Sequence, residues 1–127
     1  MILLDTQVAL WLLFAPERIG DRARQAISDA DTVGFSAVSI AEITIKKMLG
    51  RLDVPDDVAR QLERSGLTLI ALDADHAAAV AGFPELLRHD PFDRLLLAQA
   101  SVERASLITA DRVLLSLNLP QVMDARR

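Results

Sequence analysis

Short apolar runs separated by helical stretches leave this chain few ways to fold. MILL at 1–4 is apolar without alternation, as a strand buried on both faces reads. TVGFS at 32–36, LTLIAL at 67–72 and SLI at 106–108 read as further strands, with a weak fifth near Val122. Between them lie helical segments at 6–14, 19–30, 38–49, 55–64, 75–81 and 92–104, and a short one at 113–117. Pro16 stops the first, Gly50 is the natural C-cap of the third, and Gly66 closes the fourth, which Asp53 is expected to cap. Strands joined through helices imply right-handed crossovers, and so a parallel sheet covered on both faces. The expectation is a single α/β domain over 1–127, with no repeat or linker to divide it.

Composition removes several chemistries. The chain has no cysteine, so disulfides, thiolate metal sites and a cysteine nucleophile are excluded, which fits a reducing cytoplasm. Its longest apolar run, Val8 to Ala15, falls well short of the roughly 20 residues a membrane span needs. That run, with Trp11, Leu12 and Phe14, reads mainly as core. No basic region precedes the apolar N-terminus, so a signal peptide is not expected. The net charge of −4 argues at first against a nucleic-acid partner. It comes from 14 basic and 18 acidic residues, so if four acids share one pocket the remainder balances.

In parallel α/β sheets the ligand site lies beyond the carboxyl ends of the strands. Asp5 ends the first strand and Asp111 follows the fourth. Asp93 stands at a helix start on the approach to the fourth, and Glu42 lies one turn into the helix after the second. Each has a plain structural reading. Ser39-Ile40-Ala41-Glu42 matches a capping box, and Asp5, Asp93 and Asp111 suit helix starts. Taken together the caps do not explain the pattern, because four acids converging on one edge repel and raise one another's pKa. A cation would relieve that repulsion. With oxygen donors only, the cation is Mg²⁺ or Mn²⁺. Asp90 in HDPFD is read differently, as the N-cap before Pro91.

LLDT at 3–6, SIAEI at 39–43, DPFDRLLLAQA at 90–100 and LITAD at 107–111 resemble the acidic motifs of PIN-domain nucleases. The likeness is greatest to VapC-type toxins of toxin–antitoxin pairs, and AEITIKKMLGRL at 41–52 resembles the helix and linker of one VapC subgroup. The resemblance implies a five-stranded parallel sheet in the order 3-2-1-4-5. It also implies that Asp5, Glu42, Asp93 and Asp111 are the catalytic, metal-binding acids, with Thr6 and Thr109 as nearby hydroxyls. It implies an RNA substrate hydrolysed directly by water with Mg²⁺ or Mn²⁺, a cognate antitoxin that silences the site, and a homodimer. Gln7 and Ala41 depart from the His and Trp that many relatives carry, which bears on substrate or partner preference. Lys46 is a contact to substrate phosphate, an i,i+4 partner of Glu42, or a side chain extended to solvent. Lys47 is expected in solvent. Two other classes compete. A receiver-like phosphoacceptor domain would need an acid pair at strand one and a lysine after the last strand, and both are missing. A non-catalytic PIN-fold interaction module would be expected to have lost some of the acids, and none is missing.

Overall fold

A computed structural model covers residues 1–127. Five strands, β1 (Ile2–Leu4), β2 (Val33–Ser36), β3 (Thr68–Ile70), β4 (Ser106–Thr109) and β5 (Val122–Asp124), form one sheet in the order β3-β2-β1-β4-β5. Every pairing is parallel. Seven α-helices connect the strands: α1 (Thr6–Phe14), α2 (Asp21–Asp29), α3 (Ala37–Met48), α4 (Val58–Arg64), α5 (Ala74–Ala79), α6 (Pro91–Val102) and α7 (Arg112–Ser116). Receiver domains have the order 2-1-3-4-5. The observed order excludes that alternative.

β1 is the central strand. Leu4 lies opposite Phe35 on one side and Ile108 on the other. Successive side chains enter opposite layers, Leu4 with Val8, Phe35 and Ile108, and Leu3 with Leu96, Leu97 and Leu107. Burial on both faces explains why the first strand shows no alternation. Each fully buried leucine contributes about 1.5–3 kcal/mol relative to leaving it exposed. No helix is long and apolar enough to cross a membrane.

Several boundaries differ from the sequence reading by one to three residues, and three of the differences have a visible cause. β3 ends at Ile70 and not at Leu72, because it is an edge strand and Leu72 is exposed. α4 begins at Val58 after Asp57, whose side chain makes no capping bond, so Asp53 is not its cap. α2 starts after Gly20, and this glycine is required by its surroundings. Its N–H donates to Ala125 O (2.9 Å) and Arg22 N–H donates to Arg127 O (2.7 Å), zipping the chain after β5 onto the start of α2. A Cβ on Gly20 would lie 2.3 Å from the Arg127 carbonyl carbon and 2.4 Å from Arg126 O. His76 is also structural. Buried in α5, its Nδ1 accepts from Asp73 N–H (3.0 Å) and its Nε2 holds Glu103 (2.7 Å), tying α5 to the end of α6.

The topology sets the position of the site. From β1 the chain builds outward through β2 and β3, then returns to the other side of β1 for β4 and β5. The reversal opens a crevice beyond the carboxyl ends of β1 and β4.

Candidate metal centre at the strand ends

A cleft of about 370 Å³ at this crevice is lined by Asp5, Glu42, Asp93 and Asp111, together with Thr6, Gln7, Lys46, Asp90 and Arg126. Asp5 is buried and fully engaged. Its Oδ1 accepts from Val8 N–H (2.8 Å) as the N-cap of α1, and its Oδ2 accepts from the Thr109 hydroxyl and from Ala110 N–H (3.3 Å). Burial pushes its pKa up, against the pull of those hydrogen bonds. Thr109 also accepts from Asp111 N–H (3.0 Å), so one hydroxyl joins the two acids that follow β1 and β4. Asp111 in turn caps α7 by accepting from Leu114 N–H (2.8 Å).

Glu42 reaches the cleft from the second turn of α3, which starts at Ala37, directly after β2. Ser36, the last residue of β2, is the N-cap and accepts from Val38 N–H (3.0 Å). Ser39 and Glu42 therefore stand inside the helix and form no capping box. Ser39 is hydrogen-bonded to Thr6 (2.9 Å), whose hydroxyl donates to Glu42 Oε1 (2.5 Å). Lys46 Nζ donates to Glu42 Oε2 (2.5 Å), forming the i,i+4 pair. The bond raises the Lys46 pKa. Lys47 is not free in solvent. It donates to Val54 O (2.6 Å) and pairs with Asp56, fastening the 50–57 loop to α3.

Asp93 stands in the first turn of α6, behind Asp90, which caps the helix by accepting from Phe92 N–H (2.8 Å). Burial, then the charges of Asp111, Asp90, Asp5 and Glu42, hold the Asp93 carboxyl at about 7. Burial, together with the neighbouring acids, has overridden the helix dipole, which alone would lower the value. The adjacent Arg94 faces away and donates to Leu87 O (3.2 Å).

Sequence reasoning missed two residues here. His89 Nε2 lies 3.1 Å from Asp93 Oδ2 and 3.2 Å from Asp111 Oδ2. Its place four residues before Asp93 was a usable signal, obscured by the Pro91 break. Arg126 lines the cleft from beyond β5, and nothing local announces it.

The four acids that line the cleft offer carboxylate oxygens, and His89 sets a ring nitrogen beside Asp93 and Asp111, a donor set that fits a divalent cation. Burial and then mutual repulsion lift Asp93, and such a cation would relieve both. The residues present therefore fit a bound divalent metal. A doubly wound α/β protein with a carboxylate centre at its topological switch point is the class that fold and site define. The PIN domain family model matches residues 2–118, and the chain belongs to that family. It is 30% identical over 122 residues to Ribonuclease VapC22 of Mycobacterium tuberculosis, covering 94% of each chain. Its fold is similar to that in the VapBC-1 structure from nontypeable Haemophilus influenzae, with a TM-score of 0.70, 18% identity and 100% of both chains covered. It is similar to that in VapBC2 from Rickettsia felis bound to a promoter DNA fragment, with a TM-score of 0.69, 17% identity and 98% coverage of both.

Proposed function

We propose that this protein is a cytoplasmic, Mg²⁺-dependent endoribonuclease, with Mn²⁺ as an alternative cofactor, acting as the toxin of a toxin–antitoxin pair. The observation that carries the reading is the convergence of Asp5, Glu42, Asp93 and Asp111, from four separate elements, on one cleft where Asp93 is held at about 7. The likeness to a named VapC ribonuclease supports the choice of RNA, and the likeness to VapBC complexes supports an antitoxin partner.

Asp5, Asp93, Asp111 and Glu42 would hold the cation. When bound, it supplies neutralisation of phosphate charge and a water of lowered pKa. The chain's own residues fix the geometry. Thr6 and Lys46 clamp the two oxygens of Glu42, so that this carboxylate can hold an attacking water in one orientation. Thr109 and the Ala110 N–H fix Asp5 against Asp111. The hydroxyls of Thr6 and Thr109 donate to carboxylates and neither is paired with an imidazole, so neither is activated as a nucleophile. Water attacks phosphorus directly and no covalent intermediate forms. The complete, clamped acid set favours this reading over a non-catalytic interaction module.

The test is RNA cleavage by the purified protein with Mg²⁺, with chelator, and by Asp93→Asn. Cleavage that needs the cation and is lost in the variant is expected. Wild-type rates in chelator would overturn the metal mechanism. In cells, expression alone should arrest growth, co-expression with an antitoxin should restore it, and Asp93→Asn should be harmless.

A further inference from the structure

An acidic cleft repels the polyanion it is proposed to cut, and Lys46, the cation on its α3 side, is already paired with Glu42. The opposite rim carries a different arrangement. Arg126 places its guanidinium carbon 5.5 Å from the ring centroid of Trp11 and donates from Nη1 to Ala110 O (2.8 Å). Arg18, from the Pro16–Arg18 turn, lies 5.8 Å from the same centroid. Neither guanidinium is paired with a carboxylate. The two arginines come from opposite ends of the chain, and the close approach at Gly20 brings them together. A guanidinium has five N–H donors, so Arg126 keeps four after its bond to Ala110. Stacking on an indole holds the planar fork in a restricted orientation. Two oriented arginines without acidic partners, one of them lining the acidic cleft, suit phosphate oxygens.

We propose that Arg18 and Arg126, stacked on Trp11, hold the backbone phosphates of a single-stranded RNA beside the cleft. The proposal rests on the reading of the protein as a ribonuclease and adds the side of the cleft along which the strand runs. Such contacts are sequence-independent, so a mixed-sequence RNA is a valid probe even where the natural target is another sequence. Trp11 is the only tryptophan, so its fluorescence reports directly on this rim.

The experiment is binding of a dye-labelled single-stranded RNA of about 20 nucleotides to the full chain in Mg²⁺, from about 50 to about 200 mM salt, followed by anisotropy and by Trp11 emission. Arg18→Ala and Arg126→Ala should each weaken binding about 5–10-fold and lower the salt slope by about 0.7, the value for one phosphate contact on a single strand. Arg126→Lys should keep the slope, because the charge remains. Arg18 makes no hydrogen bond from its side chain, so its variant tests the idea without loosening the fold. Wild-type affinity and slope in both alanine variants would overturn the proposal, whereas arginine-dependent binding of a single-stranded DNA of the same length would support contacts to phosphates common to both strands. Arginine-dependent RNA binding that persists in chelator, where no cleavage occurs, would support this proposal independently of the ribonuclease reading. Metal-dependent cleavage with unchanged salt slopes would overturn this proposal and leave the ribonuclease reading standing.

Discussion

Replacing Asp93 with Asn should stabilise the protein when no divalent cation is bound, with a pH dependence of one sign only. In the fold this carboxyl is held at about 7 against an ordinary value of 3.8, first by burial and then by Asp111, Asp90, Asp5 and Glu42. A group whose pKa rises on folding binds its proton more tightly in the folded chain. It therefore costs nothing below about pH 4 and destabilises progressively as the pH climbs to about 7. Raising a carboxyl from 3.8 to about 7 corresponds to ~4 kcal/mol at full weight. The side chain keeps 19% of its exposure, and its acidic neighbours share the repulsion, so about half, ~2 kcal/mol, is expected at about pH 8. Asn removes the charge, keeps an oxygen to accept from His89 and adds no volume. For a chain of this size the gain is a Tm increase of roughly 6–10 °C. Thermal unfolding of wild type and variant in EDTA, from about pH 4 to about pH 8, measures it. The variant's advantage should shrink to near zero at the acid end. Adding Mg²⁺ should raise the wild-type Tm by linkage and move the variant much less. A variant no more stable than wild type at the alkaline end, or an advantage that does not change with pH, would refute the reasoning.

Asp5→Asn, Glu42→Gln and Asp111→Asn should each lower RNA cleavage by at least about 100-fold in a single-turnover assay, as expected for groups that hold a catalytic cation. Asp90→Asn should stay within about threefold of wild type, because Asn caps a helix nearly as well as Asp. An Asp90→Asn variant as inactive as Asp93→Asn would show that the two aspartates share one role. Gly20→Ala should cost about 2–3 kcal/mol in urea unfolding, because its methyl group would overlap the backbone at Arg126 and Arg127. Wild-type stability in that variant would contradict the close approach of the two segments.

What sequence patterning made visible was the frame and the positions facing its carboxyl edge. Apolar runs separated by helical periodicity imply a parallel sheet. Residues that follow strands in such a sheet must collect at one edge, so Asp5 and Asp111 were legible without a single contact being known. Local chemistry failed where two local rules competed. SIAE looks like a helix start, yet Ser36 caps the helix three residues earlier, and this carries Glu42 inward to Thr6 and Lys46. Asp53 looked like a cap, but the chain turns helical only after Asp57. Lys47 looked solvated because its partners, Val54 and Asp56, lie across a loop whose path no periodicity encodes. Arg126 was invisible for a stronger reason. Its place beside Asp5 depends on the pairing of β5 with β4 and on the contact at Gly20, and both are tertiary facts.

The bond from Thr109 to Asp5 spans 104 residues, and β1 pairs with a strand near the far end of the chain. Synthesis proceeds from the N-terminus at about 5–20 residues per second, so Asp5 leaves the ribosome roughly 5–20 s before the β4 residues that must clamp it. During that interval β1 has one open edge, and the cleft lacks Thr109, Asp111 and its arginine rim. A chain cut short before β4 lacks Thr109 and Asp111 and cannot assemble the acid cluster. The acid cluster is thus assembled late and all at once, only after β4 and the residues that follow it have been made.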